Sequence, residues 1–266
     1  MGNKYKLAET CEYEGRVLHR IVALKDFYSV KAGDKGGWIE KEGNLSQNDY
    51  CWVYDNAMVY GNAAVCGNAK VCSFAKVYGN AAVFGDAKVY GNAMVCGNAE
   101  VSGDAKVRGG AEVYDNSKVC GDSHVSGNAE VFGDAKVYGN SNVSGNAAVF
   151  GNAKVYGNAE VFGDAEVFGD AIVYGNAEVF GNAKVHGNAK VCGDAKVTNN
   201  RDYIVFKNWW SSGRYFTWTR SNNKWSVGCF YGTGEELIAK AYSDSQESGR
   251  EYERVVRYVE SILKYH

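Results

Sequence analysis

From Val53 to Val197 a valine occupies every sixth position, twenty-five in all, with no residue gained or lost between them. An alanine stands two residues before most of them, and a variable, often charged residue separates the pair, as in Ala153-Lys154-Val155-Tyr156. A period of six fits neither a helix, at about 3.6, nor one continuous strand, at about 2. Within each unit the sides nevertheless alternate. Ala153 and Val155 face one way, Lys154 and Tyr156 the other, as along a strand. The Gly-Asn or Gly-Asp that follows is turn chemistry: Gly takes positive φ freely, and Asn and Asp tolerate it. The pattern therefore predicts a short strand and a corner per hexad, with valine and alanine inside.

One such unit cannot bury its inner face alone. Stacked coils bury a continuous column of valine and alanine, the solution repeat proteins adopt. Proline is absent from all 266 residues, where average usage predicts roughly thirteen. That absence suits a chain in which nearly every segment donates hydrogen bonds to a ladder.

The unit V-x-G-[N/D]-A-x, as in VYGNAE at 155–160 and VFGDAE at 161–166, resembles the hexapeptide repeat of left-handed parallel β-helices. The resemblance covers about residues 39–198. It implies three hexads per eighteen-residue coil and eight coils from Val53 to Val197. At about 4.8 Å per strand this is a prism roughly 40 Å long. Departures are few. Ser73-Phe74 replaces a Gly-Asn corner and Gly110 an Asn; Asp55 and Asp115 stand for Gly; Ser117, Ser123 and Ser141 stand for Ala.

The ends differ from the repeat. Residues 1–52 read as an N-terminal cap and first coil, because a solenoid end exposes apolar core and unpaired edges. RVLHRIVAL (16–24) has strand content and 30–46 is turn-rich. Ile39 and Leu45 are six apart, so the first coil begins there, with a two-residue slip before Val53. The repeat proper is 53–198. Residues 199–266 read as a small α+β domain docked on the last coil. It would hold strands at 202–208, 214–220 and 224–231, a helix opened by the capping box Thr233-Gly-Glu-Glu236, and a second helix opened at Ser248. Tyr252, Val255, Val256, Val259, Ile262 and Leu263 form one stripe of that second helix.

A net charge of −2 gives no drive toward duplex nucleic acid or anionic membrane. No apolar run approaches the length of a membrane span, and none follows Lys4-Tyr5-Lys6 as a signal peptide requires. The eight cysteines form no C-x-x-C, and no two are eighteen residues apart. They predict neither a disulfide framework nor a zinc site, and a reducing, cytoplasmic compartment.

Candidate chemistry is sparse. Of His19, His124, His186 and His266, two fall in outward repeat positions with no loop around them. A catalytic base needs an orienting neighbour and a dry pocket, so no catalytic residue, metal or cofactor is assigned. Two features invite partners. Sorting by eighteen gives an acidic, aromatic face with Tyr114, Phe132, Phe150 and Phe168 beside Glu112, Glu130 and Glu166. A second face is basic and aromatic, with Tyr138, Tyr156 and Tyr174 beside Lys118, Lys136, Lys154 and Lys190. Stacked aromatics stabilise a sheet by themselves. Their exposed stripe and opposite charges also fit packing of one face on the other in a homo-oligomer, a dimer or trimer. Second, Lys207, Trp209, Trp210, Arg214, Trp218, Arg220 and Trp225 interleave cations and aromatics. That mixture builds either a small core with a charged rim or a binding surface for a nucleotide-type molecule or a partner protein.

The whole plan, with GGWIE…NLS near the start, GNA repeats, and NWWSSGRYFTW…GCFYGTGEEL after them, resembles hexapeptide-repeat proteins of phage and prophage genomes, some called acyltransferase-like. The resemblance implies a phage accessory protein in the host cytoplasm, a non-enzymatic binder or scaffold. Its target would be a host defence protein or a nucleotide signal. The rival expectation is an acyltransferase using an acyl-CoA-type donor.

Overall fold

The structure is a computed structural model and describes residues 2–263. Strands β1 (Tyr5–Tyr13), β2 (Arg16–Ala23) and β3 (Lys35–Ile39) come first. Twenty-five strands of two to four residues follow, one per hexad, from β4 (Trp52–Val53) to β28 (Lys196–Val197). Each pairs in parallel with the strand eighteen residues on: Val137 lies under Val155, and Val89 under Val107. Three parallel faces result, carried by sheets of eleven, nine and eight strands. The chain is thus a parallel β-solenoid of about nine turns once the first coil is counted.

The inside is as the hexad requires. No valine from Val53 to Val197 is more than 1% exposed, and the alanines two residues before them are buried. Ser117, Ser123 and Ser141 are buried in alanine positions, where each hydroxyl donates to the carbonyl three residues back (2.7, 2.9 and 3.0 Å). A buried hydroxyl without such a partner would cost on the order of 1–3 kcal/mol.

The first coil carries the slip read from the sequence. Ile39 pairs with Val59 and Leu45 bridges to Val65, each twenty residues on, whereas Val53 pairs with Val71. The two additional residues lie between Leu45 and Val53.

The ladder has a direction. Lys136 donates to the Ala153 carbonyl (2.9 Å) and Tyr138 to that of Val155 (3.0 Å), and so on along the prism. Each coil donates forward, so the first coil is left with carbonyls and the last with N–H groups. Both ends are answered. At the start, β1 and β2 form an antiparallel hairpin about Glu14-Gly15, both at positive φ, and β2 pairs with β3. The buried Lys4 ammonium donates to the carbonyls of Asp49 (2.8 Å) and Cys51 (2.9 Å). At the far end, side chains accept what another coil would. Lys184 N–H reaches Asn200 Oδ1 (2.8 Å), Lys190 N–H reaches Thr217 Oγ1 (2.8 Å), Lys196 N–H reaches Ser221 Oγ (2.6 Å) and Thr198 N–H reaches Asp202 Oδ2 (2.7 Å).

The C-terminal domain has four antiparallel strands, not the three expected: β29 (Tyr203–Lys207), β30 (Tyr215–Thr219), β31 (Lys224–Val227) and β32 (Phe230–Gly232). Gly228, at positive φ, turns the run 224–231 back on itself. Helix α1 (Gly234–Asp244) opens on the capping box, with Thr233 Oγ1 accepting from Glu236 N and Glu236 Oε2 from Thr233 N. Helix α2 (Gln246–Leu263) starts two residues before Ser248, because Ser245 Oγ accepts from Ser248 N (3.0 Å) and so acts as its cap. Tyr252, Val256 and Val259 of the expected stripe are buried; Val255 and Leu263 pack at its edge. No helix among the described residues is long and apolar enough to cross a membrane.

Candidate functional site

At many hexads the outward position after the valine carries an aromatic ring at the edge of a coil, and parallel pairing stacks it on a ring in the next coil. Tyr114, Phe132, Phe150, Phe168 and His186 form one column with centroid spacings of 4.8, 4.8, 4.9 and 5.2 Å. Tyr138, Tyr156 and Tyr174 form another on a second face, at 4.8 and 5.2 Å. A third, not assigned a role from sequence, is Phe162 on Phe180 at 4.9 Å. Ring faces cover each other, so the tyrosines and phenylalanines are half-buried with their outer edges in solvent, while the terminal His186 is exposed.

Charge flanks the columns unevenly. Tyr114 donates its hydroxyl to Glu130 (2.9 Å), which with burial pushes the phenol well above its ordinary pKa. Lys184 neutralises Glu166 (2.8 Å). On the second face Lys118 is paired with Glu100 (2.9 Å), while Lys136, Lys154 and Lys190 make no ion pair among the described residues. The first face keeps a negative excess at Glu112 and Glu130, the second a positive one.

The corners hold an order that the sequence reading attributed to turn geometry alone. Asn62 donates its amide to Asn80 (3.2 Å), Asn80 to Asn98 (3.0 Å), Asn98 to Asn116 (2.9 Å) and Asn116 to Asp134 (3.2 Å). Asp accepts and cannot donate, so it ends each amide ladder; Asp164, Asp170 and Asp194 do the same. Sorting Asn from Asp by eighteen would have revealed this.

The histidines do not assemble a base. His124 pairs across its face with Lys106 and Asn142. Burial, then the charges of Lys106 and Arg108, lower its pKa. His186 is a stacked ring at the end of a column; His266 lies outside the described residues. Among the described residues no group of three His, Cys, Asp or Glu side chains is placed to hold a metal.

The seven residues singled out in the C-terminal domain do not share one surface. Trp218 and Trp225 are core, packed with Phe216, Tyr252 and Val256. Strand β30 is covered on both sides, by the helices and by the last coil, so Thr217 and Thr219 are buried as well. Alternation along 214–220 therefore could not separate a site from a core. Trp210 leans edge-on against Tyr252 (5.0 Å), and its indole N–H has no acceptor among the described residues. Trp209 is 76% exposed beside it. Lys207 lies over the Tyr215 ring at 5.7 Å. The two arginines part company. Arg220 joins Arg201 over a groove of 580 Å³ floored by Ile204, Trp218 and Val259. Arg214 lines a cleft of 270 Å³ with Tyr215 that reaches the solenoid at Asp170 and Lys190.

Comparison with known proteins agrees with this geometry. A family model described as the YdcK beta solenoid repeat matches residues 53–67. The "Uncharacterized acetyltransferase YdcK" of Escherichia coli (strain K12) is 49% identical over 39 residues, which is 15% of this chain and 12% of that protein's length. The family-model match lies in the repeat, over the inward Val53, Val59 and Val65 and the positive-φ corners at Asp55, Gly61 and Gly67. By that pattern the chain is a hexapeptide-repeat β-solenoid protein, similar in its repeat to the YdcK beta solenoid.

Proposed function

We propose that the chain is a non-enzymatic, self-associating scaffold that holds a binding domain at one end of an inflexible prism. The aromatic column from Tyr114 to His186 carries this reading. Its half-buried rings present their edges as a partly exposed apolar stripe along successive coils, of a kind monomers usually avoid. Beside it stand Glu112 and Glu130, and the Tyr138–Tyr174 column on another face stands beside Lys136 and Lys154, which make no ion pair among the described residues. Face-to-face packing would cover both stripes and match their charges, and a closing rotation yields a ring of copies. Phage origin and a host target follow from the resemblance of the whole plan and belong to the same proposal.

Light scattering on the purified protein at micromolar concentration tests it. A defined oligomer that dissociates when Phe132 and Phe150 become serine supports the scaffold. A monomer removes it. The acyltransferase reading is favoured by one observation, the acetyltransferase name of the Escherichia coli protein that is 49% identical over 39 residues. Acetyl-CoA-dependent release of free thiol with an amine or alcohol acceptor would establish it instead.

A further inference from the structure

Two irregular segments near the start of the chain, both ahead of the regular repeat, lead to one groove. The first is the two-residue slip between Leu45 and Val53, which carries Tyr50, 60% exposed. The second is the tight turn Phe27–Val30, closed by hydrogen bonds from Phe27 N to Val30 O (3.0 Å) and from Val30 N to Phe27 O (2.9 Å). Tyr28 stands at its tip, 76% exposed, with φ at 48°. A bulky residue at positive φ is an outlier. Such strain persists where the surroundings over-determine it, and it gathers at binding sites.

Both tyrosines are held from below. Phe27 and Val30 are buried in the core on either side of Tyr28. Tyr50 sits between Asp49 and Cys51, whose carbonyls both accept from the buried Lys4 ammonium. The Asp49 carboxylate accepts from Gly67 N (3.1 Å), and Cys51 N donates to Gly67 O (2.8 Å). These two large exposed rings are therefore anchored through their neighbours, not loose. They line a groove of 410 Å³ with Asn68, Lys70, Asp86, Lys88 and Asp104, a volume within the usual range for small-molecule sites.

We propose that this groove binds a neutral, polyhydroxylated ring, a sugar unit of a linear oligosaccharide, against Tyr28 and Tyr50. Two observations select that class. The charges of the lining cancel, two lysines against two aspartates, so a phosphate or carboxylate would meet Asp86 and Asp104. Lys70 is already spent on the Tyr28 ring, 4.2 Å from its centroid, and Asn68 donates to Asp86 (2.9 Å). Donors and acceptors repeat along the coil axis at the ladder spacing of about 4.8 Å. That arrangement serves hydroxyls, which donate and accept, along a linear chain of rings. The Tyr50 ring and the face of Tyr28 that Lys70 does not cover supply the apolar contact that the ring C–H groups require. This site lies at the end opposite the C-terminal domain and does not depend on the scaffold proposal.

The test is an array of neutral and anionic oligosaccharides probed with the full-length protein, followed by calorimetry on the strongest neutral binder. Retention of neutral glycans is expected, insensitive to salt, with affinity falling about tenfold or more in Tyr28→Ala and in Tyr50→Ala. Tyr258→Ala, on the exposed side of the second helix at the far end, should leave binding unchanged. Both tyrosines are exposed, so the variants should fold, and an unaltered melting curve verifies it. Three results overturn the proposal: no neutral glycan retained, retention of anionic glycans alone with salt-dependent affinity, or neutral binding indifferent to both tyrosines.

Discussion

Tyr203 closes the aromatic column that ends in His186. Its ring meets the imidazole edge-on at 6.5 Å, and its hydroxyl accepts from His186 N (3.4 Å) while donating to Lys184 O (2.8 Å). One side chain thus continues the outer stack and ends the inner ladder of the same face. Removing only the hydroxyl, in Tyr203→Phe, should cost on the order of 1–2 kcal/mol. Tyr203→Ala should cost about 3–5 kcal/mol by also opening a cavity. Urea denaturation followed by circular dichroism and by tryptophan emission separates the outcomes. If the domain docks as described, emission from Trp218 and Trp225 shifts at lower urea in Tyr203→Ala than in the unaltered protein.

Asp202 gives the same junction a pH dependence. Burial works to raise its pKa, but donors at Thr198 Oγ1, Thr198 N and Asn199 N outweigh it, and the carboxyl is held below its ordinary value. A depressed pKa in the folded state means that the unfolded chain binds the proton more readily. The stabilisation is therefore full above the unfolded value of about 3.9 and is lost as pH falls through the folded one. Asp202→Asn should melt lower at neutral pH and show a shallower decline on acidification. Parallel melting curves for the two proteins below pH 4 would contradict this assignment.

The three serines buried in alanine positions of the repeat should be dispensable. In Ser141→Ala the carbonyls of Tyr138 and Val155 lose a hydroxyl donor, yet Val155 O still accepts from Tyr138 N (3.0 Å). Melting should move by no more than about 0.5 kcal/mol equivalent. Ser141→Val, which adds volume to a filled column, should cost about 1–3 kcal/mol.

A corner glycine should be less forgiving. Gly127 has φ at 72°, and a Cβ there would stand 2.8 Å from Gly145 O and 2.9 Å from Gly145 N. Gly127→Ala should cost at least about 1–2 kcal/mol from the backbone conformation alone. Asp115 shares that conformation at 59°, but its carboxylate accepts from Gly133 N (3.2 Å), a bond alanine cannot make. Thermal melts of Gly127→Ala and Asp115→Ala should both fall below that of the unaltered protein.

Reversing charge on the basic face tests self-association separately from ring stacking. Lys136→Glu with Lys154→Glu leaves the Tyr138–Tyr174 stack intact and abolishes the match to Glu112 and Glu130. The mass in light scattering should drop toward the monomer, and adding Glu112→Lys and Glu130→Lys should restore it.

The sequence made the solenoid readable because its period comes from covalent chain geometry. Val53 to Val197 each point inward, and one shifted valine would have turned a strand over. The slip before Val53 was readable for the same reason. The ends follow no period. The hairpin of Tyr5–Tyr13 with Arg16–Ala23 turns on Glu14-Gly15, a weaker signal than Asn-Gly, and its outward residues meet solvent without regular alternation. Strand β32 was hidden because 224–231 reads as one apolar run unless Gly228 is taken as a turn. Composition around Trp209–Trp225 could not show that Arg214 and Arg220 line separate grooves, since that depends on which neighbours cover strand β30. Tyr28 and Tyr50 gave no motif. They come to line one groove only through the folding of two loops onto the first coils.

Forward donation by every coil has a further consequence, for genes. An eighteen-residue segment cut out or duplicated between two corners leaves no donor or acceptor without a counterpart, because each coil presents the same edge to its neighbours. Only the end structures are singular. Length can therefore drift by whole coils, about 4.8 Å at a time, while Lys4 goes on sealing one end and Thr217 the other. The span between the two ends is thus open to selection without refolding either one.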